Sequence, residues 1–301
     1  MIKSLTIVYV TARKEPNFGW FWSSLCRETG NDFSNTHTII VDTFKDERLD
    51  WSVPPVSHWI KPKPTIWQGD HRITKVDWWA KCNSMNTGIC LCTTEWIAFV
   101  DDRSVLSHGW LQCVQDSMIH NYAVCGSYEK HANMKVENGE VVDPGELLGQ
   151  DIRRDFGYPV RTTDWYGGSC ALPLEWCLRV NGYPEKYCDG LGFEDIAFGI
   201  LLRNNHLDMR YDSRMRLIED RTPGPAYEGA LKRASKPSPD PNNKWLAKDY
   251  RILEIMGGST ASGNSYDIGP LRERVLRGEP FPPPTPDHYD WFDNEYIGDM
   301  E

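Results

Sequence analysis

The stretch Trp96-Ile97-Ala98-Phe99-Val100-Asp101-Asp102-Arg103 decides the fold. Its first five residues are apolar, and most of them are aromatic or β-branched, which predicts a buried strand. Two acids and a base follow this strand directly. Ligands of α/β proteins bind beyond the carboxyl ends of parallel strands, so these three side chains are candidates for a binding site.

Polar residues also follow two earlier predicted strands. Leu5 to Val10 is a short apolar run that leads into Thr11-Ala12-Arg13, and His37 to Val41 is a second run that ends at Asp42. Helical patterns lie between the strands, and strands that alternate with helices form largely parallel sheets. The polar residues after the three strands are therefore expected to converge on one edge of the sheet.

The segments between the strands carry further predictions. Residues 46–68 show no clear period and are expected to form a long loop or an irregular insertion. The helix before Trp96 is expected to begin near Asp77, because aspartate is a good N-cap. A helix over about 109–119 and a strand over about 122–126 continue the alternation.

The second half of the chain contains two glycine-bearing stretches. Asp189 to Phe193 leads into a predicted helix whose first turn holds Glu194 and Asp195. Trp165 to Ser169 contains a glycine pair and precedes a short strand and a helix from about residue 173. Residues 222–243 are rich in proline, serine and aspartate, which predicts a loop or a lid. A helix is expected over about 243–256, and residues 279–301 hold a run of prolines and then acidic and aromatic residues.

The composition excludes several classes of protein. The 301 residues carry a formal net charge of -10, which argues against broad binding of a phosphate backbone. A local basic groove from Lys61, Lys63, Arg72 and Lys75 remains open, although a solvated loop is the simpler interpretation. The nine cysteines lack metal or redox spacing and are interpreted as reduced, mostly buried thiols. No apolar run is long enough to span a membrane, and the N-terminus lacks a signal-peptide layout, so a cytoplasmic location is expected.

The chain resembles family 2 glycosyltransferases with the GT-A fold. The resemblance covers about the first two-thirds of the chain, and the glycine-rich Glu-Asp block is its most specific part. Its motifs are Ala80-Lys81-Cys82-Asn83-Ser84-Met85-Asn86-Thr87-Gly88-Ile89, the strand Trp96 to Asp102 with Arg103 to Leu106, Gly109-Trp110-Leu111, Gly182-Tyr183-Pro184-Glu185 and Gly192-Phe193-Glu194-Asp195.

The resemblance implies the fold class and the domain organisation. The fold is expected to be α/β of the GT-A type, with a Rossmann-like, mostly parallel central sheet flanked by helices and with a C-terminal extension. Residues 1–221 would form the glycosyltransferase domain, with a nucleotide-binding part over about 1–126 and an acceptor part over about 127–221. Residues 222–301 would form the extension.

The resemblance also implies an activity, which is inverting transfer of a sugar from a nucleotide-diphosphate sugar. A UDP-hexose is the favoured donor. The acceptor stays open: a glycan is one candidate, and the aromatic residues together with the basic loop from Lys61 to Lys75 keep a hydroxymethylated DNA base as another. The implied catalytic residues are Asp195 as the base and Glu194 as the residue that orients it. The donor-binding residues would be Thr11, Arg13, Asp42, Asn86, Asp101, Asp102 and Arg103, and the acceptor side would be shaped by Trp165, Gly167 and Gly168.

One departure from the family pattern concerns the metal. Asp101 and Asp102 would hold a divalent cation, Mn²⁺ or Mg²⁺, but Arg103 stands where the family motif has its last acid, and a guanidinium cannot ligate a cation. Three interpretations stay open. Asp102 and a later group such as Glu219, Asp220 or a histidine hold the metal; Arg103 itself neutralises the diphosphate; or Arg103 pairs with Asp101 as a structural element.

Two other functional classes stay open as well. A nucleotide-sugar-binding protein of the same fold without catalysis would fit the substitution at Arg103, although the intact pair of Glu194 and Asp195 argues against it. A metal-dependent phosphodiester hydrolase would also use clustered acids, but it would not need the glycine-rich loop before them.

Overall fold

The computed structural model describes residues 3–48, 58–65, 80–151, 156–159, 165–189, 193–222 and 256–283. The strands are β1 Leu5–Thr11, β2 Thr36–Asp42, β3 His58–Ile60, β4 Trp96–Asp101, β5 Ser104–Leu106, β6 Ala123–Cys125, β7 Tyr128–Ala132, β8 Lys135–Glu137, β9 Glu140–Asp143, β10 Glu146–Gln150, β11 Phe156–Pro159, β12 Ser169–Pro173, β13 Met209–Asp212 and β14 Leu217–Asp220. The helices are α1 Phe18–Thr29, α2 Lys81–Leu91, α3 Trp110–His120, α4 Leu174–Arg179, α5 Glu185–Cys188, α6 Glu194–Asn204 and α7 Ile268–Leu276.

The central sheet has eight strands in the order β11-β13-β6-β12-β4-β1-β2-β3. Strands β3, β2, β1 and β4 are parallel neighbours, while β12 runs antiparallel between β4 and β6. Because β1, β2 and β4 are parallel, their carboxyl ends meet at one edge, where Thr11, Asp42 and Asp101 lie. The prediction of an α/β fold with a mostly parallel central sheet is confirmed.

Both faces of this sheet are covered. Side chains alternate between the two faces of a strand, so Val8 and Val10 pack on the side of α2 and α6, whereas Ile7 and Tyr9 pack on the side of α1 and α3. This explains why β1 and β4 are apolar almost throughout, since strands buried on both faces need no polar alternation.

The segment before α2 departs from the prediction in one respect. Within residues 46–68, which were expected to be irregular, β3 adds an edge strand parallel to β2. The strand is only three residues long, and the residues around it show no alternation of polar and apolar side chains. The sequence therefore carries no periodic signal for it.

A second, smaller sheet stands beside the first, with the order β10-β7-β14-β5. Strand β14 pairs in parallel with β7, so that Glu219 is opposite Lys130. Strand β5 comes directly after the turn at the end of β4 and pairs with β14. The small sheet therefore begins where the central sheet ends, at the edge that carries Asp101.

The described part of the C-terminal region packs onto the main core. Met256, Ile268 and Leu271 are buried in the same cluster as Met85 and Ile89 of α2. The predicted helix over about 243–256 and the acidic end lie mostly outside the described residues. A division of the chain at residue 221 stays a prediction. None of the described helices has the length and hydrophobicity that crossing a lipid bilayer requires.

Candidate active site

The carboxyl end of β4 meets the first turn of α6 through a lysine. The ammonium nitrogen of Lys81, the first residue of α2, lies 3.0 Å from Oδ1 of Asp101, 3.1 Å from Oε1 of Glu194 and 3.9 Å from Oδ1 of Asp195. The acids near the first third of the chain and those near its second third thus lie in one ion cluster at one edge of the sheet.

The charges of this cluster set its protonation states. Burial alone would lower the pKa of Lys81, but Asp101, Asp195 and Glu194 outweigh it and raise that pKa well above its ordinary value. Burial would raise the pKa of Asp101, but Lys81 and Arg221 hold that pKa below its ordinary value. Lys81 is therefore a permanent cation, and Asp101 is a permanent anion near neutral pH.

Asp195 differs from its neighbours in its acidity. Burial raises its pKa to about 7, and the charges of Glu194 and Asp101 act in the same direction, whereas Lys81 and the Gly167 N–H lower it. A carboxyl group that titrates near neutral pH matches the requirement for a general base. Its side chain keeps 24% of its surface exposed, although its Oδ1 atom is buried without a hydrogen-bond partner among the described residues.

The glycine pair packs directly against both acids. A Cβ atom at Gly167 would lie 2.2 Å from Oδ1 of Asp195, and one at Gly168 would lie 2.6 Å from Oδ2 of Asp101. No side chain fits at either position without moving a carboxylate. The two glycines thus share the edge with Asp101 and Asp195, and Trp165, two residues before them, is buried. A part for these three residues on the acceptor side stays a prediction.

Asp102 is fixed by the residues that follow β1. Its Oδ2 accepts a hydrogen bond of 2.6 Å from Thr11, and its Oδ1 pairs with Nε of Arg13 at 3.0 Å. All three side chains are buried. The convergence that parallel topology predicted for Thr11, Arg13 and the acids after β4 is therefore present.

Arg103 occupies a turn with left-handed backbone and pairs with an acid of the small sheet. Its φ of 53° lies in the left-handed region, which is uncommon for residues other than glycine. Its backbone N–H donates to the Pro16 carbonyl at 2.9 Å and lies 3.2 Å from the Tyr9 hydroxyl. Its guanidinium pairs with Asp220 and donates to the Thr222 carbonyl at 2.7 Å. The interpretation that Arg103 pairs with Asp101 is therefore wrong, because its partner is Asp220.

Asp42 is completely buried at the end of β2. Its carboxylate pairs with Nε of Arg48 at 2.6 Å and accepts hydrogen bonds from the Phe44 backbone at 2.9 Å and the Trp59 indole at 3.3 Å. Asp42 thus lies at the predicted edge, but its carboxylate is buried and already bound by Arg48 and Trp59. A part for Asp42 in binding the base stays a prediction and would require these partners to move.

Asn86 belongs to the core and not to the edge of the sheet. Its amide nitrogen donates to the Tyr183 carbonyl at 2.9 Å, to Glu185 at 2.7 Å and to the Tyr266 hydroxyl at 3.1 Å, and its oxygen accepts from the Tyr183 N–H at 2.8 Å. The expectation that Asn86 flanks the donor is corrected here, since the side chain has no exposed surface and its hydrogen-bonding atoms are used.

The small sheet contributes a second group of charges to the same edge. Arg221 lies 2.5 Å from Oε2 of Glu219 and 3.9 Å from Oδ2 of Asp101. The Tyr166 hydroxyl donates to the other oxygen of Glu219. The ammonium of Lys130 lies 4.1 Å from the ring centroid of Tyr128 and 5.9 Å from that of Tyr166.

Each acid of the site is in contact with a basic or hydroxyl side chain, and these contacts determine whether the acids could also bind a divalent cation. Asp101 lies against Lys81 and Arg221, Asp102 against Thr11 and Arg13, Glu219 against Arg221, and Asp220 against Arg103. No three His, Cys, Asp or Glu side chains among the described residues form a group that could hold a metal ion. A cation site needs carboxylate oxygens that face a common point, so this arrangement does not fit the metal that the resemblance implies.

Asp189 caps helix α2 and thereby positions Lys81. Its two carboxylate oxygens accept hydrogen bonds from the backbone N–H groups of Cys82 at 2.8 Å and Asn83 at 3.1 Å. Helix α2 begins at Lys81 after Ala80, and the N–H groups of Cys82 and Asn83 are thus capped from a distant loop. Asp77, near which the helix was predicted to begin, lies outside the described residues. Neither Lys81 nor Asp189 was among the predicted site residues, although Lys81 lies in the motif Ala80 to Ile89 and Asp189 opens the glycine-bearing stretch before Glu194.

The cations predicted to form a nucleic-acid groove are paired with acids wherever the structure describes them. Lys63 is buried and pairs with Glu185 at 2.8 Å, and the exposed Lys61 pairs with Asp46 at 2.6 Å. Arg72 and Lys75 lie outside the described residues. Of the four cations proposed for a groove, the two that are described are thus each paired with an acid.

Comparison with known proteins supports the fold. Residues 151–219 match the family model described as the N-terminal domain of galactosyltransferase. The crystal structure of S. aureus TarS 1-349 in complex with UDP has a TM-score of 0.50 and 11% sequence identity, covering 84% of this chain and 70% of that chain. The structure titled S. aureus TarS 1-349 has a TM-score of 0.49 and 11% identity with the same coverage.

No curated protein sequence matches the chain. At 11% identity the likeness to TarS concerns the fold alone. Together with the family match and the sheet order, it shows that the chain has a fold like that of the family 2 glycosyltransferases, as the sequence resemblance predicted.

Proposed function

We propose that the protein transfers a hexose from a UDP-sugar to an acceptor hydroxyl, with inversion at the anomeric carbon. One observation carries this proposal: Lys81 joins Asp101, at the end of the nucleotide-side strand, to Asp195, a carboxyl group with a pKa of about 7. A base that is half ionised near neutral pH thus faces the edge where such folds bind ligands.

The reaction would be a single displacement. The acceptor hydroxyl attacks the anomeric carbon, and its proton passes to the ionised carboxylate of Asp195. The bond between the anomeric carbon and the phosphate oxygen breaks, and its electron pair leaves with the diphosphate. One base on the acceptor side suffices for this step, and attack opposite the leaving group inverts the anomeric carbon.

The donor side would be the edge formed by β1, β2 and β4. Thr11, Arg13 and Asp102 lie there in one buried network. UDP is favoured as the nucleotide because the TarS structure of similar fold is titled as a complex with UDP. Arg103, held by Asp220 in this structure, and Asp42, held by Arg48, would contact the nucleotide only after exchanging these partners.

The acceptor side would lie over the glycine pair and Trp165. The indole N–H of Trp165 is buried without a hydrogen-bond partner among the described residues, so it is a candidate donor to an acceptor or sugar hydroxyl. The acceptor is a glycan or a hydroxymethylated nucleic-acid base. The buried thiols, eight of the nine cysteines, agree with work in a reducing compartment such as the cytoplasm.

Nucleotide release from a panel of UDP-, GDP- and CDP-sugars tests the proposal. We expect UDP-sugars to raise the melting temperature and to release UDP slowly in water, and faster with an added oligosaccharide. The same assay is run with hydroxymethylated DNA as the second acceptor. Binding of a nucleotide sugar without release under any acceptor would favour a non-catalytic binding protein, and no binding of any nucleotide sugar would overturn the proposal.

A further inference from the structure

Lys130 is a partly buried cation that has no role in the proposed catalytic step. It lies on β7, and its ammonium stands over the aromatic rings of Tyr128 and Tyr166. Among the described residues no carboxylate oxygen lies within ion-pair distance of Lys130; burial lowers its pKa, and the charge of Glu219, opposite it in the small sheet, raises that pKa. An ammonium that is partly removed from water without a direct ion pair is costly, so an anion that contacted it would be stabilised.

Two other cations stand on the same edge. Arg221 follows β14, whose Glu219 is opposite Lys130 in the small sheet, and its guanidinium reaches to 3.9 Å from Asp101. Lys81 approaches Asp101 from α2 at 3.0 Å. The charges that act on Lys130 are those of Glu219 first, and then of Arg221, Asp101 and Lys81. Three positive side chains from three elements therefore surround one strand end.

We propose that Lys130, Arg221 and Lys81 form the binding site for the diphosphate of the donor, and that transfer proceeds without a divalent cation. This inference rests on the proposed function. When the bond to the anomeric carbon breaks, the negative charge that gathers on the phosphate oxygen faces positive charges that are already in place. A metal ion would instead compete with these same cations for Asp101 and Glu219.

Calorimetric titration with UDP tests the site. In buffer with EDTA we expect UDP to bind the wild-type protein, and added Mn²⁺ to change Kd less than threefold. Lys130→Gln should weaken UDP binding about tenfold, since a hydrogen bond to a charged group is worth about 1.5 kcal/mol or more, while uridine, which lacks phosphate, should bind both proteins equally. Lys135→Gln on β8, an exposed lysine that pairs with Asp143, is the matched control.

Two further measurements test the role of the diphosphate and of the charge at Lys130. Inorganic pyrophosphate should displace UDP from the wild-type protein in EDTA, and Lys130→Arg, which keeps the charge, should retain UDP binding within a few-fold. UDP binding that appears only with Mn²⁺, or equal weakening by Lys130→Gln and Lys135→Gln, would overturn the inference and leave the transferase proposal standing. No UDP binding in either buffer would overturn the proposed donor as well.

Discussion

The ammonium nitrogen of Lys81 lies 3.1 Å from Oε1 of Glu194, although the two residues begin different helices. The same ammonium contacts Asp101 at the end of the central strand β4. This lysine thus joins the nucleotide side of the sheet to the helix that carries the proposed base, and its charge influences the acidity of that base.

Replacement of Lys81 by methionine should move the acid limb of the pH–rate profile to higher pH. The Lys81 charge lowers the pKa of Asp195, so its loss leaves more of the carboxyl protonated at pH 7. Because the protonated form cannot accept the acceptor's proton, activity at pH 7 should fall and should recover in part at higher pH. The measurement is kcat/KM against pH, with Lys135→Met as the control. An unshifted acid limb would contradict the role of Lys81.

Replacement of Glu194 by glutamine should move the acid limb of the pH–rate profile to lower pH. The negative charge of Glu194 raises the pKa of Asp195, so the amide should let Asp195 ionise at lower pH. Glu137→Gln, an exposed residue on β8, is the matched control and should leave the profile in place. Shifts of the same sign for Lys81→Met and Glu194→Gln would show that Asp195 does not set the limb.

Replacement of Gly167 by alanine should reduce turnover about a hundredfold with little loss of stability. The added Cβ would lie 2.2 Å from Oδ1 of Asp195 and must displace that carboxylate, and misplacement of a catalytic group by about 1 Å can cost a hundredfold. Gly149→Ala, where an added Cβ meets no atom within 4 Å, should behave like the wild type. Kinetics and thermal melts separate the two effects, and full activity of Gly167→Ala would count against this geometry.

Replacement of Asp189 by alanine should lower the free energy of unfolding by about 1 to 2 kcal/mol. The substitution removes the cap of α2, and loss of a helix cap typically costs about this much. Asp208→Ala, which removes an exposed ion pair with Arg210, should cost less than about 1 kcal/mol. Urea denaturation provides the values. Equal stability of the two variants would mean that the cap does not hold the helix start.

Much of the fold could be predicted from the chain because its main strands are apolar on both faces. Leu5–Thr11 and Trp96–Asp101 are strong local signals, and the rule that parallel strands end at one edge placed Thr11, Arg13 and Asp102 together. The strand His58–Ile60 could not be predicted, since three residues at a sheet edge carry no period of their own.

The site was predictable where a motif is local and not where it depends on distant partners. The pair of Glu194 and Asp195 stands out after its glycine-rich loop. In contrast, the cap of α2 comes from Asp189, and the partner of Arg103 is Asp220, which only the small sheet brings near. Asn86 sits in a quoted motif, but the Tyr183 backbone and Glu185 bind it in the core.

The central claim is that Asp195 removes the proton of the acceptor hydroxyl, and single-turnover release of UDP from bound UDP-sugar tests it most directly. Asp195→Asn keeps the shape of the side chain and removes the base. We expect it to bind the UDP-sugar as tightly as the wild type but to transfer the sugar to the acceptor about a hundred to ten thousand times more slowly. Transfer by Asp195→Asn at the wild-type rate, with equal donor binding, would contradict the account.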